Sequence, residues 1–400
     1  MQECFKHVEY TRNAHGHCDT TFLGEQESFK ALSFHSSIPG YRPTPLVDLS
    51  GLAKELGLGG FYLKDESFRF GLNAFKVLGG SYAIGRYIAD KLGEDLENLP
   101  FERLISDEIK AKLGELTFVT ATDGNHGRGV AWTANKLRQK SVVYMPKGSA
   151  QERLENIRAL GSEASITDLN YDGAVALANS MAEKHGWIMV QDTAWEGYED
   201  IPTWIMQGYT TMALEAYRQL NGLKPTHIFL QAGVGSLAGA VAGFFADVYG
   251  DQRPIITIVE PNKADCIFRT AQADDGTRHF VTDDMATIMA GLACGEPNTV
   301  SWEVLKTCSD HFISCPDVVA AKGMRVLGCP IKGDAQVISG ESGAVTTGIV
   351  AELMQKPELA ELKAKLGLDE KSRVLVFSTE GDTDQAGYKN IVWDGLYPSK

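Results

Sequence analysis

Positive charge is what this 400-residue chain is short of: 38 Lys and Arg stand against 52 Asp and Glu, a formal net charge of -14. Nucleic acid and anionic membranes both select for a cationic surface, so neither is expected as a main partner, although a compact basic pocket for a small anion stays open. Closely spaced cysteine pairs are also lacking. The seven cysteines (Cys4, Cys18, Cys266, Cys294, Cys308, Cys315, Cys329) are odd in number and include no C-x-x-C pair, which argues against a disulfide framework or zinc site and for reduced thiols. His15-Gly16-His17-Cys18 has ligand-like residues but no second pair at suitable spacing, so no metal is expected. No apolar run follows the charges of Met1 to His7, so no signal peptide is read and a cytoplasmic setting is expected. The uncharged run Ile228 to Ala246 holds four glycines and a Gln-Ala-Gly-Val-Gly-Ser turn signal, and reads as strand, loop and helix, not a membrane span. Internal repeats and low-complexity segments are absent.

What is present is an ordinary globular composition, 44% hydrophobic and 22% charged, in a length that suits two domains. Residues 1 to 40 are mixed and polar. Leu46 to Leu56 reads as a short helix ended by Gly57, and Phe61 to Lys64 as a strand. Phe101 to Lys112 reads as an amphipathic helix in a charge-rich stretch. From Thr117 onward strands and helices alternate: strands at 117–121, 141–145, 163–166 and 187–191, helices at 128–140, 151–160 and 171–185. That alternation implies an α/β fold with a mostly parallel sheet covered by helices. It is expected to form a small domain of residues 85–199, with 1–84 and 200–400 building a larger, discontinuous one on a second such sheet.

Four stretches carry chemistry. Lys76, between Phe75 and Val77 and just ahead of Gly79-Gly80, has the surroundings that lower a lysine's pKa and suit Schiff-base chemistry. Thr122-Asp123-Gly124-Asn125-His126-Gly127 follows a strand and leaves amides available for a carboxylate, with Asn125 able to reach a ring oxygen. Gly233-Val234-Gly235-Ser236-Leu237-Ala238-Gly239 follows a strand and opens a helix, so its N–H groups, the helix dipole and the Ser236 hydroxyl converge on an anion. A dinucleotide fingerprint is the rival reading of that loop, and Glu260 stands near the distance where its acidic residue belongs. Asp192 lies on a polar, aromatic loop entering the same region.

In this order, Asn73-Ala74-Phe75-Lys76-Val77-Leu78-Gly79, the Gly-Asn-His turn, the glycine loop and Ser378-Thr379-Glu380-Gly381-Asp382 resemble the fold type II pyridoxal-phosphate enzymes. That group contains the tryptophan synthase β subunit and the serine and threonine dehydratases, and the likeness runs from about Pro43 to Asp384. It implies that Lys76 is the Schiff-base lysine, that Asn125 meets the cofactor's phenolic oxygen, and that Gly233, Val234, Gly235, Ser236 and Leu237 hold its phosphate. It further implies that Thr379 faces the pyridine nitrogen, leaving it unprotonated, and that two copies form a homodimer. The departures point to the substrate. Ala74 and Leu78 replace the serine and arginine usual beside the lysine, and Asp123 stands where relatives carry a small residue. A carboxylate there is costly unless a cation meets it, so a substrate with a second ammonium is expected.

With Asp192, the 289–297 segment and residues 379–384, these features resemble the diaminopropionate ammonia-lyase family. The resemblance implies α,β-elimination of D- or L-2,3-diaminopropionate to pyruvate and two ammonia. Lys76, Asp123 and Asp192 are then the catalytic candidates, and Thr122, Asp123, Asn125, His126 and Asp192 the substrate-binding ones. The alternatives are a serine or threonine dehydratase, which gives no reason for Asp123, and a dinucleotide-dependent oxidoreductase, which explains neither Lys76 nor the Gly-Asn-His turn. Cys266 and Cys294 flank segments that border the site, and whether they pair stays open.

Overall fold

In the computed structural model, which describes residues 5–12, 14–122 and 124–398, the strands fall into two sheets. In chain order they are β1 (Lys6–Glu9), β2 (Leu46–Asp48), β3 (Gly60–Asp65), β4 (Thr117–Ala121), β5 (Lys140–Met145), β6 (Glu163–Ile166), β7 (Ile188–Met189), β8 (His227–Gln231), β9 (Ile255–Pro261), β10 (His311–Cys315) and β11 (Arg373–Ser378). The smaller sheet, β6-β5-β4-β7, is parallel throughout. The larger, β1-β10-β9-β8-β11-β3-β2, is parallel through its five inner strands and antiparallel at both edges.

Every residue of β8 and β10 is buried, as a parallel sheet covered on both faces requires. Along β11, Leu375 and Phe377 enter one core while Val374 and Val376 enter the other, the period-two alternation of a strand between two layers. The first layer contains the helices Glu25–Ser37, Val77–Leu92, Asp200–Gln219, Ser236–Tyr249 and Thr299–Cys308; the second contains Asp317–Gly328 and Glu341–Gln355.

One helix crossing places the lysine. Val77–Leu92 and Asp200–Gln219 meet through glycines, so closely that a Cβ on Gly208 would stand 2.4 Å from Leu78 O. A Cβ on Gly79 would stand 2.6 Å from Tyr209. Lys76 immediately precedes the first of these helices and inherits its fixed position.

Several local expectations need correction. Leu46–Asp48 is a strand, because Val47 pairs with Leu63 at the sheet edge, and the helix begins only at Ser50. The 101–112 helix is two short ones, Phe101–Leu104 and Asp107–Leu113, the second capped by Ser106, whose hydroxyl accepts from Ile109 N at 3.3 Å. The 187–191 strand shrinks to Ile188–Met189. The polar first forty residues hold β1 and the helix Glu25–Ser37, which buries Ser28 and His35 beside Ala31, Leu32 and Phe34. Ile228 to Ala246 folds as strand, loop and helix, and among the described residues no helix is long and apolar enough to cross a membrane.

Candidate active site

A cavity of about 700 Å³ lies beyond the carboxyl ends of β3, β4, β8 and β11, where open parallel sheets place their ligands. Lys76, Thr122, Asn125, His126, Asp192, the loop 233–237 and Thr379 all line it. Asp123, expected beside them, lies outside the described residues.

The segment that carries Lys76 is anchored by a buried ionic cluster. Arg69 donates to Glu66 and to both Glu215 oxygens at 2.8–2.9 Å, and Lys64 Nζ donates to Glu215 Oε2 at 2.6 Å. Burial would raise the Glu215 carboxyl, but Arg69 and Lys64 hold it below the usual range. Further along, Phe75 N donates to Thr379 O at 3.0 Å and Gly381 N to Asn73 O at 3.1 Å, tying the lysine loop to the turn after β11.

Lys76 Nζ forms an ion pair with Asp192. Burial alone would push the Asp192 carboxyl up; the charges of Lys76 and His126 and the Lys76 hydrogen bond overcome it and bring it down to about 2. His126 Nε2 donates to Val190 O at 2.8 Å, which leaves Nδ1 turned to Asp192 Oδ2 at 3.9 Å. Thr122 Oγ1 accepts from Gly124 N at 3.0 Å and shapes the turn that starts the helix Asn125–Lys136.

Opposite, the Asn125 amide donates to Glu380. Glu341, the first residue of its helix, shares this wall and is 7% exposed. Burial, then Glu380 and Asp384, push its carboxyl up to about 7, against a smaller pull from Arg153. Glu341 escaped the sequence reading because an acid at a helix start resembles a cap. The Gly340-Glu341-Ser342-Gly343 spacing was the available signal.

The glycine loop has the features of an anion cradle. Gly235 has φ +100, a conformation that favours glycine, and a Cβ there would stand 2.6 Å from Ser301 Oγ. The helix Ser236–Tyr249 begins at the loop and aims its unsatisfied first-turn N–H groups at the cavity. Ser236 Oγ donates to Asp192 O at 2.5 Å and accepts from Asn298 Nδ2 at 2.9 Å, coupling the cradle to the Lys76 partner. The dinucleotide rival loses its acid: Glu260 is buried and accepts from Ile267 N and Phe268 N at 3.0 and 2.6 Å, occupied with the next helix start. Cys266 Sγ lies 3.8 Å from Gly233 O, and a Cβ on Gly233 would come within 3.3 Å of Cys294 Sγ, so both sulfurs flank this loop.

These residues fit pyridoxal phosphate. A phosphate cradle, an amine and a hydroxyl surround one cavity, and two buried polar atoms in its lining, Gln231 Oε1 and Ser342 Oγ, have no partner among the described residues.

The comparisons agree with that chemistry. A family profile described as "Pyridoxal-phosphate dependent enzyme" matches residues 38–379. The chain is 56% identical over 379 residues to a diaminopropionate ammonia-lyase of Salmonella typhimurium, covering 94% of each. The holo crystal structure of diaminopropionate ammonia lyase from Escherichia coli superposes with a TM-score of 0.92 at 50% identity, over 99% of this chain and 98% of that one. The same Escherichia coli enzyme is similar to this chain in a complex with an aminoacrylate-PLP azomethine reaction intermediate, with a TM-score of 0.90, 50% identity and the same coverage.

Proposed function

The chain belongs to the diaminopropionate ammonia-lyase family of pyridoxal-phosphate-dependent enzymes, and from that premise we propose how its residues convert 2,3-diaminopropionate and water into pyruvate and two ammonia. The observation that carries the reading is Lys76 paired with a buried Asp192 in a cavity that ends in an anion cradle.

Bound pyridoxal phosphate would supply the electron sink that makes the α-hydrogen of an amino acid acidic. Lys76 would be its covalent attachment point, and the same amine, when free, would take the α-proton from one face. Gly233, Val234, Gly235, Ser236 and Leu237 would hold its phosphate, Asn125 its phenolic oxygen, and Thr379 its pyridine nitrogen.

Asp192 gives a substrate ammonium the counter-charge that it now gives Lys76. The β-nitrogen, carried as ammonium, departs as ammonia with the electron pair of the Cβ–N bond, and hydrolysis of the remaining three-carbon enamine releases pyruvate and the second ammonia. Thr122 and His126 bound the substrate side of the cavity. The family resemblance supports a second base for the other enantiomer, with Asp123 and Asp192 as its candidates.

A homodimer, a cytoplasmic setting and a division into 1–84 with 200–400 and 85–199 complete the reading; the family resemblance supports the first, the odd cysteine count without a C-x-x-C spacing the second, and the two sheets the third. Pyruvate release from diaminopropionate by the cofactor-loaded protein, beside its Lys76→Ala variant, tests the proposal. Turnover lost in the variant is expected, and turnover kept by it contradicts the assignment.

A further inference from the structure

Gln231 ends β8 and Thr379 follows β11, and because these strands are neighbours in the sheet the two side chains meet at the cavity wall. Gln231 is 1% exposed and Thr379 4%. The Gln231 amide nitrogen has two hydrogens and two acceptors: Phe377 O at 2.9 Å and Thr379 Oγ1 at 3.0 Å.

Phe377 O is a backbone carbonyl and can only accept, so the amide must present nitrogen to it; the flipped amide would set two acceptors face to face. With the nitrogen fixed, its second hydrogen falls to Thr379 Oγ1 and fills one of that hydroxyl's two acceptor lone pairs. A hydroxyl has one hydrogen left to give. No acceptor for it is found among the described residues, and the cavity is the direction that remains.

We propose that Gln231 is a positioning residue: held by Phe377 O, it orients the Thr379 hydroxyl as a donor toward the pyridine nitrogen of pyridoxal phosphate and keeps that nitrogen unprotonated. The inference rests on the pyridoxal-phosphate reading and deepens it. It also answers an electrostatic problem. Glu380 follows Thr379 in the chain, and Glu341 starts the helix whose Gly343 packs on Thr379 N, so a Cβ there would come within 2.9 Å of it. Both carboxyls, with Asp192 across the cavity, favour a protonated ring; Lys76 opposes them. A hydroxyl that could turn freely would yield to the carboxyls by accepting from the ring, whereas the bond from Gln231 restricts the rotor and favours the proton turned outward.

The test is the ¹⁵N NMR signal of the pyridine nitrogen in holoenzyme reconstituted with ¹⁵N-labelled pyridoxal phosphate. Wild type is expected at the unprotonated position, and Thr379→Ser, which keeps the hydroxyl, beside it. Gln231→Glu, whose carboxylate accepts where the amide donates, is expected to turn the hydroxyl and move the signal to the protonated position. Gln231→Met keeps the volume without donors and covers the case in which the charged variant does not load; its signal is expected to shift the same way. In both variants kcat is expected to fall by roughly tenfold while KM moves by less than about threefold. An unprotonated wild type with unshifted Gln231 variants overturns the role of Gln231 and leaves Thr379 in place. A protonated wild type overturns both.

Discussion

The side-chain amide of Asn125 donates to the carboxylate of Glu380, joining the first turn of the helix after β4 to the turn after β11. The two sheets are thus linked at the cavity, and in the proposed role of Asn125 that bond would be given up to meet a cofactor oxygen. Asn125→Ala removes a donor to a charged oxygen, worth about 1.5–3 kcal/mol. Cofactor affinity, followed by protein fluorescence on titration, is expected to weaken roughly tenfold to a hundredfold.

Lys76→Ala leaves Asp192 buried without its cation. Removing one partner of a buried pair costs about 3–5 kcal/mol, and the 18% exposure of Lys76 places this case near the lower figure. The variant apoprotein is expected to unfold at lower denaturant concentration near neutral pH. As pH falls through the wild-type Asp192 value of about 2, the difference should shrink, because a depressed carboxyl contributes stability above its unfolded pKa and loses it below its folded one. Borohydride is expected to fix the cofactor to wild type at residue 76 and not to the variant, as read by peptide mass.

Gly235→Ala puts a Cβ 2.6 Å from Ser301 Oγ at a φ of +100. Strain of this kind costs roughly 1–3 kcal/mol. Phosphate affinity should fall with it, so pyridoxal phosphate is expected to bind more weakly by a larger factor than the phosphate-free aldehyde, as compared by equilibrium dialysis.

Much of this arrangement was legible in the sequence, for one physical reason. Lys76, Asn125, Gly233 and Thr379 all follow buried parallel strands, and such strands announce themselves as short apolar runs that break into glycine or polar turns. The misses have reasons too. His311–Cys315 is apolar but short and lies between two helices, where periodicity cannot separate strand from helix. The helix Glu25–Ser37 buries serine and histidine on its inner face, which blurs its amphipathic pattern. Glu341 and Gln231 gain meaning only from what other elements bring beside them: Glu380 and Asp384 for one, Phe377 O and Thr379 for the other.

Glu341 makes a pH prediction. Its carboxyl is raised to about 7 by burial and by Glu380 and Asp384, so the folded apoprotein holds a proton that the unfolded chain releases above the ordinary carboxylate range. Stability is therefore expected to fall as pH rises from about 4.5 to about 7, by on the order of 3 kcal/mol. Glu341→Gln is expected to flatten that slope in denaturant titrations of the apoprotein.

The most direct measurement is kcat/KM for pyruvate release from D- and L-2,3-diaminopropionate, set beside D- and L-serine, with threonine followed as its oxoacid. An acidic cavity that receives a second ammonium predicts that at least one diaminopropionate enantiomer exceeds every hydroxyl amino acid by an order of magnitude or more. Preference for serine or threonine would contradict the diamino substrate while leaving the fold and the lysine in place.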